Sequence, residues 1–181
     1  QLPSGDLVGP IRGRISRSSD GGRTWREVVD AKFPGQLAVF SVLRSGRWLV
    51  GSLETDETIA KPDGAGTVEM TQMEMRGGYP IYKVRGHFYN YRVFVSYSDD
   101  NGKTWHKGKP FTGPLKWAFT STGHVIERPD GELWLLLYGC VTDEEVDSYS
   151  SSNCIVRSRD EGKTWGDPSF VFRTNPKGPD D

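Results

Sequence analysis

The sequence predicts an all-β fold built from repeated four-stranded antiparallel units. Three observations support this prediction. One eight-residue pattern occurs three times, a looser pattern of a Gly turn and an apolar strand occurs twice, and no segment shows a sustained apolar period of 3.6 residues. The 22 glycines and 11 prolines agree with short strands joined by many turns.

The eight-residue pattern is SxDxGxTW, which occupies 18–25, 98–105 and 158–165. Five fixed positions at roughly 5% usage each would match on the order of once per million starting points, so three copies are not coincidence. We expect the Asp to accept hydrogen bonds from the backbone amides after it, and the Gly to supply a positive φ, as in a tight turn between strands. Thr and Trp then begin the next strand. The residues with this structural role are Ser18, Asp20, Gly22, Thr24, Trp25, Ser98, Asp100, Gly102, Thr104, Trp105, Ser158, Asp160, Gly162, Thr164 and Trp165.

The looser pattern appears as RSGRWLVGSL at 44–53 and as RPDGELWLLLYG at 128–139. The interval from its Gly to the next motif Asp is almost twice as long in the first copy as in the second. This longer interval predicts an insertion over 54–87. Met70, Met73 and Met75 alternate with polar residues inside it, which is typical of one strand of an inserted hairpin.

Four-stranded antiparallel units repeated along a chain indicate a β-propeller, which closes with roughly four to eight blades. We expect about two and a half blades here. They are the second half of a blade at 1–36, a full blade with the insertion at 37–115, and a full blade at 116–181. Because an open stack would expose strand edges and a blade face, we expect further blades, from the rest of a longer chain or from another chain, to complete the ring.

Composition and charge exclude several classes of function. A net charge of −1 argues against a nucleic-acid partner, and no apolar run reaches the roughly 18 to 20 residues of a membrane span. The acidic run at 143–147 lacks the glycine and the spacing of an EF-hand loop, and the three histidines have no ligand spacing, so we predict no metal and no cofactor.

Cys140 and Cys154 bracket a polar loop, and either a disulfide or two thiols fits the sequence.

SxDxGxTW is the Asp-box motif, and nearly the whole chain resembles the sialidase (neuraminidase) superfamily, whose members are six-bladed BNR-repeat propellers. The resemblance implies an exo-acting glycoside hydrolase that removes a terminal sugar, sialic acid or a related one, from glycoconjugates by a retaining mechanism. It also implies an extracellular or periplasmic location. Asp boxes occur in other propellers too, so a non-catalytic carbohydrate-binding or structural propeller remains the alternative.

Alternating strands place the Asp boxes at one end of each blade, and we expect function at the other end, where the variable loops lie. In the family the acid/base Asp precedes the strand that leads to the first Asp box. Asp6, in the stretch that leads to the box of Asp20, is therefore the candidate acid/base residue. A complete catalytic set cannot be assigned on this chain. Candidates for sugar binding are Arg12, Glu54, Asp56, Arg76, Tyr79 and His87.

Overall fold

The computed structural model describes residues 2, 4–11, 14–28, 36–55, 69–76, 79–85, 91–120, 124–142 and 152–173. Within these ranges every regular element is a β-strand, and the strands form three larger sheets and one separate hairpin. No helix of the described ranges is long and apolar enough to cross a membrane. The all-β fold class is confirmed.

The first sheet contains three strands in the order β1 (Leu7–Ile11), β2 (Arg14–Ser18) and β3 (Arg26–Glu27). The sequence predicts only the last two of these strands. The prediction missed β1 because Gly9 and Pro10 interrupt its apolar residues. Proline is tolerated there because β1 lies at the edge of the sheet as described, where one side of its backbone needs no partner.

The middle sheet has four antiparallel strands, and the insertion lies between its second and third strands. Its elements in chain order are β4 (Gln36–Val42), β5 (Trp48–Thr55), the inserted strands β6 (Glu69–Arg76) and β7 (Tyr79–Arg85), β8 (Tyr91–Ser98) and β9 (His106–Lys107). The sheet order is β4-β5-β8-β9, and β6 pairs only with β7. The predicted inserted hairpin is therefore confirmed.

The third sheet repeats this order, and its first predicted strand is divided in two. Its elements are β10 (Trp117–Thr120), β11 (Ile126–Glu127), β12 (Leu133–Cys140), β13 (Ser152–Ser158) and β14 (Gly166–Phe172). The order is β10-β12-β13-β14, and β11 also pairs with β12. The sequence predicts one strand over 118–128, whereas the structure has two strands along the same partner.

Two apolar clusters join the three sheets through the two faces of β5. Trp48 and Val50 pack with Ile15 on the side of the first sheet. Leu49, between them in sequence, packs with Leu135 on the side of the third sheet. Successive strand residues point to opposite faces, so the buried first half of β5 contributes to both clusters. The middle sheet is thus covered on both faces, as an inner blade of a stack is.

The strand directions define two ends for every sheet. At the turn end, the Asp boxes connect β2 to β3, β8 to β9 and β13 to β14. At the loop end lie the connection from β1 to β2, the inserted hairpin between β5 and β8, and the connection from β12 to β13. This division confirms that the insertion lies opposite the Asp boxes.

Candidate functional site

Each Asp box is closed by one set of side-chain hydrogen bonds. In the middle sheet the Ser98 hydroxyl donates to Asp100 Oδ1 (2.8 Å) and accepts from the Gly102 N–H (2.8 Å). Thr104 donates its backbone N–H to Asp100 Oδ1 (2.8 Å) and its hydroxyl to Oδ2 (2.6 Å). The Trp105 indole N–H donates to the Gly102 carbonyl (2.9 Å). All five fixed positions therefore hold the turn itself.

The first and third boxes repeat these bonds almost unchanged. The bond from the Thr hydroxyl to the Asp Oδ2 is 2.6 Å in both, and the bond from the Trp indole to the Gly carbonyl is 3.0 Å and 3.1 Å. The residue before each fixed Gly also has a positive φ, namely Gly21 at 70°, Asn101 at 60° and Glu161 at 56°. Sequence reasoning missed this second left-handed position, although Gly and Asn at two of its three copies indicate it.

The Asp-box carboxylates are held in the ionised form. The hydroxyl of Thr104 lowers the pKa of Asp100 to about 2, and the hydroxyl of Thr24 holds the pKa of Asp20 well below its usual range. At Asp160, burial is the largest single influence and by itself raises the pKa. Hydrogen bonds from Thr164 and Ser158 together outweigh it, so the pKa is lowered. These groups carry no proton to deliver at neutral pH, which supports their structural role.

An ion pair stands beside the Asp box in all three sheets, and its member on the box strand precedes the box Ser in the first sheet and follows it in the other two. The first residue of β1, of β5 and of β12 faces the Ser of the box in its own sheet. The residue just before that strand is charged and pairs across the turn end. The pairs are Asp6 with Arg17 (Oδ2 to Nε, 2.5 Å), Arg47 with Asp99 (Nε to Oδ1, 2.6 Å; Nη2 to Oδ2, 3.0 Å), and Glu132 with Arg159 (Oε1 to Nη2, 2.8 Å).

Asp6 therefore lies at the turn end. Its candidate role implied a position at the loop end, where we expect function, and that expected position is wrong. The extra strand β1 runs between Asp6 and the loop end, so Asp6 stands next to the first Asp box. Its carboxylate is only 17% exposed and is bound by Arg17. The acid/base role of Asp6 stays a prediction, and this placement favours a structural ion pair.

The middle pair contains the most buried side chain of the three pairs. The Arg47 side chain is 9% exposed, and it also approaches the Glu161 carboxylate of the third sheet (Nη1 to Oε2, 3.4 Å). Its guanidinium carbon lies 4.5 Å from the centroid of the Tyr97 ring. The hydrogen bond from Arg47 lowers the pKa of Asp99. This arginine thus joins the two neighbouring sheets at the turn end.

Most of the predicted sugar-binding residues have no described side chain. Arg12, Asp56 and His87 lie outside the described residues. Arg76 and Tyr79 are cross-strand neighbours in the inserted hairpin, of which only the backbone is described. Glu54, near the loop end of β5, is bound by Lys107 (Oε2 to Nζ, 2.5 Å). The structure therefore does not bring the six candidates together in one described site.

The two cysteines form no disulfide bond. Cys154 lies opposite Leu137 in the sheet register, not opposite Cys140, and both thiols are buried. Burial raises the pKa of Cys154 to about 11, so its thiol is a poor nucleophile at neutral pH.

No group of three or more potential metal-binding side chains occurs among the described residues, and the acidic run at 143–147 lies outside them.

Comparison with known proteins gives a family motif and a set of similar folds. The BNR/Asp-box repeat family matches residues 96–107, the box of the middle sheet. A protein of unknown function from Dyadobacter fermentans is similar at 19% identity (TM-score 0.55) over 94% of this chain and 51% of that one. An α-L-arabinanase from Penicillium chrysogenum, solved with arabinobiose, is similar at 18% identity (TM-score 0.52) over 97% and 48%. Comparison with curated protein sequences gives no significant match.

The NanB sialidase of Streptococcus pneumoniae is similar at 13% identity (TM-score 0.51), over 94% of this chain and 43% of that one. The chain therefore spans about half the length, or less, of the solved structures that it matches. At these identities the likeness concerns the fold. Together with three structurally equivalent Asp boxes, it identifies the chain as part of an Asp-box (BNR-repeat) β-propeller with the fold of the sialidase superfamily.

Proposed function

We propose that this chain forms part of an exo-acting glycoside hydrolase of the sialidase type, which removes a terminal sugar from glycoconjugates by a retaining mechanism. The observation that carries the proposal is the set of three Asp boxes with one hydrogen-bond pattern, in a fold similar to those of a sialidase and an arabinanase. Sialic acid or a related sugar is the proposed substrate unit, and an extracellular or periplasmic location belongs to the same proposal.

The loop end supports a sugar site better than the turn end does. At the turn end, the fixed side chains of the Asp boxes are engaged in the turns, and the charged residues beside them are engaged in the three ion pairs described above. The loop end instead carries the long insertion and the connections from β1 to β2 and from β12 to β13. Propellers bind ligands where such loops surround the axis. We therefore place the sugar at the loop end.

An exposed apolar face supports the proposal that further blades complete the ring. In β12, Leu135 and Leu137 are buried against the middle sheet, whereas Leu136 and Tyr138 are 36% and 37% exposed. By the strand register, Gly51 and Leu53 of β5 occupy the positions equivalent to Leu136 and Tyr138. In the middle sheet, this face of β5 is covered by the third sheet. A further blade would cover Leu136 and Tyr138 in the same way.

The alternative is a propeller that binds carbohydrate without cleaving it. The placement of Asp6 favours this alternative, because the candidate acid/base residue is held in an ion pair at the turn end. The two hypotheses differ in one measurable property. A hydrolase turns over an activated glycoside, whereas a binding propeller does not.

The experiment measures release of a fluorogenic aglycone from an α-sialoside and, in parallel, from an α-L-arabinofuranoside. Asp6→Asn is compared with Arg17→Gln, since both variants break the same ion pair. If Asp6 is the acid/base residue, Asp6→Asn loses about 100-fold or more in turnover and Arg17→Gln does not. Equal turnover in both variants would remove Asp6 from the mechanism. The assay uses the protein with its complete ring of blades, and no turnover of either glycoside by this protein would contradict the hydrolase proposal.

A further inference from the structure

A groove of about 570 Å³ lies on the outer side of the boundary between the middle and third sheets. It is formed by β9, by the segment that follows β9, and by the Asp box of the third sheet, so two neighbouring blades build it. The residues that line it are Tyr97, His106, Lys107, Gly108, Lys109, Pro110, Phe111, Lys163, Thr164 and Trp165. The lining contains four aromatic rings and three lysines, and it contains no Asp or Glu.

The aromatic part of the groove is held in place by backbone and side-chain bonds. Phe111 exchanges both backbone hydrogen bonds with Val93 (2.7 Å and 2.9 Å), and the Trp165 indole is fixed on the Gly162 carbonyl (3.1 Å). The Phe111 and Trp165 rings lie nearly parallel, with an interplanar angle of 16° and centroids 6.3 Å apart. The apolar wall of the groove therefore exists before any ligand binds, so little ordering is needed on binding.

The chain requires glycine at position 108, just before it reaches the aromatic wall of the groove. The Gly108 N–H donates to the Val95 carbonyl (3.0 Å), and a Cβ at Gly108 would lie 2.3 Å from that oxygen. His106, just before it in the chain, stacks on Tyr97 with ring centroids 4.8 Å apart. The segment after β9 is thus kept against the sheet, and the groove keeps a fixed shape.

The charges at the groove are positive. Lys109 and Lys163 are exposed, and neither ammonium is bonded to a carboxylate within the described ranges. Lys107 is engaged elsewhere, because its ammonium binds Glu54 and lies over the Phe94 ring. Asp99 lies close enough to Lys163 to interact with its charge, but Arg47 neutralises this carboxylate in a two-point ion pair. Two ammonium groups therefore remain for an external anion.

We infer that this groove binds an acidic glycan, one sugar unit packing an apolar face on the aromatic wall while its carboxylate meets Lys109 or Lys163. Aromatic walls with a few charged groups are typical of sites for ligands that have both apolar faces and polar substituents. The site lies outside the loop end, so it is a second sugar site and does not depend on the proposed hydrolysis. Its two walls are both present in this chain.

The test measures binding of trigalacturonate, a carboxylated trimer, and of maltotriose, a neutral trimer, by isothermal titration calorimetry. We expect trigalacturonate to bind, its affinity to fall as salt rises, and maltotriose to bind at least about tenfold more weakly. The variant Lys109→Glu/Lys163→Glu should lose about tenfold or more in affinity for trigalacturonate. Phe111→Leu, which keeps an apolar side chain but removes the ring, should lose several-fold.

The matched control is Arg23→Glu/Lys103→Glu. Arg23 and Lys103 occupy the position of Lys163 in the other two Asp boxes, so this variant makes the same change in net charge away from the groove. Its affinity should stay within about twofold of the unmodified protein. Equal losses in both double variants would mean a nonspecific charge effect and would overturn the inference.

Three other outcomes would also overturn it. Equal binding of maltotriose would remove the charge requirement, and equal competition by an oligoglutamate of the same charge would indicate an acidic peptide instead. Binding of a sulfated disaccharide but not of trigalacturonate would contradict the carboxylate assignment. Calorimetry detects binding without turnover, so failure of the hydrolase assay leaves these results interpretable.

Discussion

The middle and third sheets contain the same Asp box but opposite charges beside it. The bond from the Gly N–H to the Ser hydroxyl is 2.8 Å in the middle box and 2.9 Å in the third. Beside the boxes, Arg47 pairs with Asp99 in the middle sheet, whereas Glu132 pairs with Arg159 in the third. The box residues are fixed because the turn needs their backbone and side-chain geometry. The residue just before β5 or β12, Arg47 or Glu132, needs only a partner of opposite charge.

The neighbours of each pair explain which sign it takes. Arg47 has the Glu161 carboxylate of the adjacent sheet within 3.4 Å. Glu132 instead has Arg128 at 3.4 Å and Arg157 at 3.9 Å, and the Trp134 indole N–H also donates to it (2.7 Å). That indole bond is the main influence that lowers the pKa of Glu132. The sign of each pair is thus set by the local surroundings rather than by the repeat.

The largest expected effect comes from the fixed Gly of the third box. Gly162 has a φ of 86°, and a Cβ there would lie 2.8 Å from Leu49 Cδ2. Leu49 is fully buried in the cluster between the two sheets. Gly162→Ala combines left-handed strain with overpacking and should lower the free energy of unfolding by about 3 kcal/mol, measured by urea denaturation.

The control is Gly22→Ala in the first box, where the φ is 91° but the nearest atom, Leu7 Cδ1, is 3.4 Å away. This variant has the backbone strain without the overlap, and it should cost about 1 kcal/mol. A cost at Gly162 no greater than that at Gly22 would show that the third box does not pack against the middle sheet as the structure has it.

The second prediction reverses the middle ion pair. Arg47→Glu alone places a carboxylate in a nearly buried position beside Asp99 and Glu161, and it should cost about 2 kcal/mol. Adding Asp99→Arg should restore only part of this loss, because Glu161 then faces Glu at position 47. Adding Glu161→Lys to the double variant should restore more. Full recovery in the double variant would contradict the role given to Glu161, and denaturation in urea measures each step.

The third prediction concerns acid. The pKa of Asp100 is lowered from 3.8 to about 2 in the folded state, so its contribution to stability is present above about pH 4 and is lost as the pH falls toward 2. Asp100→Asn should therefore show a weaker fall in melting temperature than the unmodified protein over this interval. Thermal unfolding followed at several pH values measures the difference. Parallel curves for the two proteins would mean that Asp100 is not held ionised by the turn.

The sequence predicts the turns and most strands because the Asp box is local. Its bonds connect residues that are close neighbours in the chain, so Ser98 to Trp105 contains what the turn needs. The placement of Asp6 was not predictable in the same way. It depends on β1, whose Gly9 and Pro10 hide the strand, and on pairing with Arg17 across the sheet.

The aromatic groove was missed for a related reason. Phe111 and Trp165 are distant in the sequence, and only the packing of two sheets brings their rings together. Nothing in the local pattern around either residue indicates the other. Features that join two blades, such as the contact from Arg47 to Glu161, share this property. Repeats therefore reveal blades more readily than they reveal the sites between blades.

The smallest expected effect separates ion pairs that matter for stability from those that do not. Arg14 and Glu27 in the first sheet form hydrogen bonds of 2.8 Å and 2.6 Å, as short as those of the middle pair. Their side chains are 68% and 42% exposed, however, whereas Arg47 is 9% exposed. Glu27→Gln should change the free energy of unfolding by less than about 0.5 kcal/mol, because water and salt screen an exposed pair. A loss in urea denaturation as large as that of the middle pair would show that bond length, and not burial, decides the contribution of these pairs.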